Sequence, residues 1–193
     1  LLWMLILHGI ILRTRPARSA AAYREVWTEQ GSPLLVISRE QEQALQQLLE
    51  QKMEQPVKVE LAMRYGNPSI ATGLERLRQA NARRVIVLPL YPQYSATTTA
   101  STFDAVAQEL QQWRWLPDLE FISHYHDHPA YIQALTASVQ DHWQQHGQPE
   151  KLLMSFHGIP EDYHTAGDPY PDECRTTAQL LAAELELDSG EWA

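Results

Sequence analysis

The sequence predicts an α/β fold, with a parallel sheet flanked by helices. Short runs rich in β-branched residues, such as RRVIVLPL at 83–90, alternate along the chain with longer stretches of helical composition. Parallel strands joined by helices produce this alternation. The chain has 193 residues, of which 44% are apolar, and is therefore long enough to form a hydrophobic core. Ligands bind such sheets at the carboxyl ends of the strands, so the loops that follow the strands are candidate site segments.

The first predicted elements precede the run at 83–90. The opening LLWMLILHGIIL at 1–12 is apolar nearly all round, which predicts a helix that is buried or lies at an apolar ligand or membrane surface. It is shorter than the roughly 20 residues that cross a bilayer. Ser32 before Pro33 is typical of a helix start, and leucines at helical spacing predict a helix over 32–52. VKVELAM at 57–63 alternates as a half-covered strand does.

The remaining elements continue the alternation. Helices are predicted over 69–81, 100–113, 130–146 and 171–186, and strands over 83–90, 119–125 and 151–156. The run at 83–90 has the character of a buried central strand. The segment QPEKLL at 148–153 is a candidate connection between two sheets.

The charge of the chain argues against a nucleic-acid-binding protein. The net charge is −9 and the isoelectric point is near 5.3, whereas nucleic-acid binders present a basic face. Residues 1–24 are the exception, because they contain arginines and no acidic residue, which would attract an anionic ligand or a membrane surface. The single cysteine, Cys174, can form no intrachain disulfide and indicates a reducing compartment.

Three polar and aromatic loops follow predicted strands. They are RYGNP at 64–68, YPQYSATTT at 91–99 and HGIP at 157–160. Each has an ordinary structural explanation when taken alone: a surface cation, packing aromatic rings, and a histidine at a turn. Because all three are placed at the same edge of one sheet, they predict a shared cleft.

HYHDH at 124–128 is a second candidate site. Alternate residues of a strand share a face, so His124, His126 and His128 would line up as metal ligands. A histidine-rich surface turn is the competing interpretation, since the segment straddles a predicted strand end. Glu173 lies in the first turn of the last predicted helix. The helix dipole favours acidic residues there, so this position needs no functional explanation.

Four segments together carry a resemblance to a known family. LLMSFHGIPEDYHTAGDPY at 152–170 resembles the signature of ferrochelatases, the enzymes that insert ferrous iron into a porphyrin. VLPLYPQYSATTTAS at 87–101, RYGNPS at 64–69 and GSPL at 31–34 are similar to that family in the same order and spacing. The resemblance therefore covers nearly the whole chain, and it is closest to the proteobacterial branch, whose product is protohaem.

The resemblance implies a chelatase-like fold of two α/β lobes with the porphyrin between them. The first lobe would be 1–147, incomplete at its start, and the beginning of the second would be 148–193. The family's opening Asn-Leu-Gly-Thr-Pro type of motif and its later glutamate opposite the active-site histidine do not occur in these residues. We therefore expect a fragment that is inactive by itself.

The resemblance also implies roles for individual residues. His157 matches the family's active-site histidine, as the base or metal ligand of iron insertion, and imidazole chemistry suits both tasks. The implied porphyrin-binding residues are Arg64, Tyr65, Tyr91 and Tyr125, with Ser32 and Tyr23 as weaker candidates at the border of the substrate.

The implied substrates are protoporphyrin IX and Fe(II), in the cytoplasm, with a peripheral membrane contact through residues 1–24. We expect no resident cofactor and no iron–sulfur cluster, because Cys174 is the only cysteine. Two alternatives remain open: a chelatase for another tetrapyrrole, such as coproporphyrin or sirohydrochlorin, and a non-catalytic metal- or haem-binding module that uses the HYHDH segment.

Overall fold

A computed structural model describes residues 20–21 and 23–193 of the chain. The chain divides into two compact units between Ala62 and Met63. The named elements are the helices α1 (Pro33–Lys52), α2 (Ile70–Gln79), α3 (Ser101–Leu110), α4 (Pro129–His146), α5 (Glu161–Thr165) and α6 (Tyr170–Glu184), the π-helical turn Ala96–Ala100, and the strands β1 (Arg84–Val87) and β2 (Asp118–Phe121). The predicted helix over 1–12 lies outside the described residues, as does nearly all of the basic segment 1–24.

Helix α1 dominates the described part of the first unit. Its start is set by the hydroxyl of Ser32, which accepts a hydrogen bond from the Leu35 amide at 3.3 Å, while Pro33 occupies the first turn. The helix predicted over 32–52 is thus confirmed to within one residue.

The strand predicted over 57–63 is wrong. No strand forms over these residues, and side chains of α1 take the place of a neighbouring strand. Gln46 accepts from the Val59 amide at 2.7 Å and donates to the Val57 carbonyl at 2.8 Å, and Glu42 accepts from the Leu61 amide at 2.6 Å. These bonds satisfy alternate backbone groups without a β-ladder. Met63 makes a parallel bridge to Ser69, inside the second unit.

The second unit contains the parallel sheet that the sequence predicts. Strand β1 pairs with β2 in parallel, from Arg84 opposite Asp118 to Val87 opposite Phe121. Both strands are shorter than the predicted 83–90 and 119–125. The prediction of parallel strands flanked by helices is confirmed.

One face of β1 forms the core of this unit. Val85 is 4% exposed and packs in a cluster with residues of α2 and α3: Ile70, Leu74, Val106 and Leu110. The next residue, Ile86, is 55% exposed, because successive side chains of a strand point to opposite faces. The prediction that 83–90 is a strand buried on both faces is therefore wrong at Ile86.

Helix α4 packs against α6. The buried apolar residues of this pair are Ile132 on α4 and Cys174, Ala178, Leu181 and Ala182 on α6. The strand predicted over 151–156 is reduced to a parallel bridge of Leu152 with Trp192, in which the Leu152 amide donates to the Glu191 carbonyl at 2.8 Å.

The other predicted helices differ from the structure at their ends. The predicted helix over 100–113 is α3, and the π-helical turn runs directly into it. The short helix α5 lies in a segment for which the sequence predicts a loop. None of the helices in the described residues has both the length and the apolar character needed to cross a bilayer. The predicted lobe boundary at 147 and 148 stays a prediction.

Candidate functional site

His157 lies on an irregular segment between the Leu152 bridge and α5. Its side chain is exposed, and within residues 20–21 and 23–193 its imidazole makes no hydrogen bond or ion pair. The phenol of Tyr170, at the start of α6, lies near the His157 backbone. Burial raises the pKa of Tyr170, so that phenol stays neutral at physiological pH. The His157 imidazole is therefore accessible.

Arg64 links the first predicted loop to the start of α3. Its Nε donates to the Ser101 carbonyl at 2.9 Å and is 2.8 Å from the Ser101 hydroxyl. The Arg64 guanidinium lies over the Tyr65 ring, 4.6 Å from its centroid, and Tyr65 is 77% exposed. Loop 64–68 and the start of α3 are therefore neighbours. The cleft predicted from the three loops stays a prediction.

Loop 91–99 is tied down by a buried carboxylate. Asp168 accepts from the Ser95 hydroxyl at 2.9 Å and from the Ala96 amide at 2.8 Å through Oδ2, and from the Tyr170 amide at 3.1 Å through Oδ1. Ser95 and Asp168 are both buried. Tyr91, at the start of the loop, is 41% exposed. Asp168 therefore connects loop 91–99 to the start of α6.

Tyr125 lies in the segment after β2, next to the same loop. Its amide donates to the Pro92 carbonyl at 2.9 Å, and its ring meets Tyr131 edge to face with centroids 5.4 Å apart. Burial, with a smaller effect of Tyr131, raises the pKa of Tyr125 to about 12. Tyr125 is half-buried and remains neutral at physiological pH.

The two weaker predicted contacts lie in the first unit. The Ser32 hydroxyl is engaged as the cap of α1, and Tyr23 is 63% exposed on a short helical segment. Their predicted roles at a substrate stay predictions.

His124, His126 and Glu173, here called the Glu173 cluster, form a second constellation. The Glu173 carboxylate lies 2.9 Å from His124 Nδ1 through Oε1 and 3.3 Å from His126 Nδ1 through Oε2. Its Oε2 also accepts from the Tyr94 amide at 2.6 Å. Glu173 is 7% exposed and His126 is 8% exposed.

The surroundings of the Glu173 cluster are fixed by a buried hydroxyl. Thr177, one turn further along α6, accepts from Gln93 at 3.0 Å and lies 2.8 Å from the His126 carbonyl, to which it can donate. Loop 91–99 and the segment after β2 are thereby held against α6. Cys174 is also buried on this helix, and burial raises the pKa of its thiol.

Two features of the Glu173 cluster differ from the sequence interpretation. His128 does not join it, because β2 ends at Phe121 and His128 caps α4 by accepting from the Ala130 amide at 3.2 Å. Glu173 is a buried partner of two histidines and not simply a first-turn acid. The sequence gives little indication of this contact, since Glu173 is 47 residues beyond His126; the clearest hint is an acid placed among the apolar positions of α6.

Comparison with known proteins supports the family resemblance of the segments around His157 and Arg64. The ferrochelatase family model matches residues 1–193. A ferrochelatase of Thioalkalivibrio sulfidiphilus is 57% identical over 98% of this chain, and ferrochelatase 1 of Shewanella oneidensis is 56% identical over 99% of it. The aligned regions are 52% and 57% of those two proteins, so the chain spans about half the length of the curated relatives it matches.

Proposed function

Because this chain belongs to the ferrochelatase family, we propose that the protein containing it inserts Fe(II) into protoporphyrin IX to give protohaem. The observation that carries the proposal is the family match over residues 1–193 together with the accessible imidazole of His157 inside the segment SFHGIP. In the net reaction, iron forms bonds to the four porphyrin nitrogens, and the two pyrrole N–H groups release their protons.

His157 is proposed as the residue that accepts a pyrrole proton or holds the incoming metal. Both tasks need a neutral imidazole nitrogen that the substrate can reach. The exposure of its side chain supports this role.

Arg64, Tyr65, Tyr91 and Tyr125 are proposed to bind the porphyrin. Exposed aromatic faces at Tyr65 and Tyr91 offer apolar contact area to a flat macrocycle. Arg64 is proposed to pair with a propionate through its terminal guanidinium nitrogens, because its hydrogen bonds to Ser101 are made by Nε. Ser32 and Tyr23 are proposed as border contacts.

We also propose that the protein works in the cytoplasm and that this half of it ligates no iron–sulfur cluster. The second point rests on a single buried cysteine, Cys174, whose thiol has a raised pKa and therefore poorly supplies a thiolate ligand. The proposed membrane contact through residues 1–24 rests on their apolar and arginine-rich sequence.

The test is anaerobic insertion of Fe(II) into protoporphyrin IX by the full-length protein, followed by the change in porphyrin absorbance. His157→Ala is expected to reduce kcat by at least about 100-fold, the usual contribution of a general base. His128→Asn is the matched control, because asparagine preserves the cap of α4.

Two outcomes would redirect the proposal. Preferential metallation of coproporphyrin or sirohydrochlorin would keep the reaction and overturn the substrate. Tight tetrapyrrole binding without insertion of any metal, unaffected by His157→Ala, would support the non-catalytic binding module instead.

A further inference from the structure

We propose that the Glu173 cluster is a binding site for a divalent transition-metal ion, additional to His157. One donor atom from each of His124, His126 and Glu173 lies within 4.8 Å of the other two. Ligand atoms around one four-coordinate Zn²⁺ are about 3.3 Å apart, so small side-chain adjustments bring the three into ligating positions. This inference stands independently of the proposed insertion reaction.

A buried nitrogen in the cluster provides independent support. His126 is 8% exposed, and among the described residues its Nδ1 has no hydrogen-bond partner, although Glu173 Oε2 is only 3.3 Å away. Buried polar atoms are nearly always hydrogen-bonded, and one without a partner calls for an explanation such as a bound ion. A metal held jointly with Glu173 supplies the missing partner of Nδ1.

The chemistry of the donors selects the class of ion. Two imidazoles and one carboxylate are the ligands of Zn²⁺ and Fe²⁺ sites that keep a position open for water. Mg²⁺ and Ca²⁺ prefer all-oxygen sites, so they are poor candidates. A group outside the site also orients the carboxylate, because Glu173 Oε2 accepts a hydrogen bond from the Tyr94 amide.

Access to the cluster comes from the side of His124. The His124 side chain is 50% exposed, whereas those of His126 and Glu173 are 10% and 9% exposed. An ion would enter past His124 and then bind the two buried ligands. This arrangement makes His124 the best position for a test, because replacing a half-exposed side chain leaves the buried packing in place.

The test is metal stoichiometry in the full-length protein after removal of bound metal with EDTA. Zn²⁺ is titrated in competition with a chromophoric chelator, and Co²⁺ is followed by its visible absorbance. All proteins carry His142→Gln and His146→Gln, because these stacked neighbours on α4, with ring centroids 4.3 Å apart, form a competing surface pair.

We expect His124→Ala to lose one Zn²⁺ equivalent or to weaken its binding at least tenfold, while His128→Asn retains it. The visible Co²⁺ absorbance should be lower in His124→Ala than in the parent, and the difference is the absorbance of Co²⁺ bound at this site. Equal stoichiometry, affinity and Co²⁺ absorbance in His124→Ala and His128→Asn would overturn the proposal and leave the cluster as a hydrogen-bonded group only. Since circular dichroism tests the fold of each variant, unfolding cannot be mistaken for loss of the site.

Discussion

His157 and the Glu173 cluster show two opposite ways in which this fold uses a histidine. His157 is exposed, and among the described residues its imidazole makes no hydrogen bond or ion pair. His126 is buried, and its backbone and side chain both lie against α6. A histidine held like His157 is available to a substrate, while one held like His126 contributes to the stability of the fold. Mutations should therefore separate activity from stability at these two places.

The largest effect is expected from His157→Ala. Insertion activity should fall at least about 100-fold, while the melting temperature stays within a degree or two, because an exposed side chain contributes little to packing. Parallel measurements of kcat and of thermal unfolding test the separation. A variant that melts well below the parent would show that His157 also supports the fold.

Glu173→Ala should cause the largest loss of stability. It leaves the Tyr94 amide and the His124 imidazole without their buried partner and removes the carboxylate that lies beside His126, which costs about 3 kcal/mol of unfolding free energy. Denaturant unfolding in the presence of EDTA measures the protein contacts without a contribution from metal. Glu173→Gln, which retains one acceptor oxygen, is the matched variant and should lose clearly less.

Asp168→Ala is expected to have a smaller effect on stability and a visible one on activity. It removes the acceptor of the Ser95 hydroxyl and the Ala96 amide, at a cost of about 2 kcal/mol. Because Asp168 also bonds to Tyr170, kcat should fall modestly as well. Unfolding free energy and kcat measured on the same preparation test this; an unchanged stability would show that water replaces the carboxylate.

The smallest expected effect is a difference between the parent and Tyr125→Phe in how much stability each loses at alkaline pH. The folded pKa of Tyr125 is about 12 and the ordinary value is 10.0, so the unfolded state loses its proton first. Tyrosine ionisation therefore lowers stability as the pH rises from about 10 towards 12. Between pH 9 and pH 11 the parent should lose about 1 kcal/mol more than Tyr125→Phe, as denaturant unfolding at both pH values would reveal. Equal losses would mean that water reaches this phenol freely.

Local patterns predict the helices well and the strands less well. The start of α1 is encoded within a few residues, by Ser32 and Pro33, so sequence reasoning finds it. The segment 57–63 has the alternation of a strand, but its partners are the side chains of Gln46 and Glu42 on α1. No local pattern distinguishes a side chain from a neighbouring strand as the partner of a backbone amide.

The residues of the candidate site also differ in whether local sequence patterns point to them. His157, Arg64 and Tyr91 are candidates because each follows a predicted strand, where ligand sites of parallel sheets occur, but only the strand before Tyr91 forms in the structure. Glu173 is not predictable from its surroundings, since its role depends on histidines far away along the chain. The short helix α5 and the π-helical turn are too short for periodicity to identify.

Because Cys174 is buried between α4 and α6, the labelling rate of its thiol can measure how often this part of the fold opens. As the only cysteine among the 193 residues, with a thiol pKa raised by burial, it is shielded from alkylating reagents while the helices are closed. Its rate of labelling therefore reports how often α6 separates from α4. Glu173 and Thr177 lie on the same helix and bond to loop 91–99, so a movement of α6 that exposes the thiol and also breaks these bonds would release that loop.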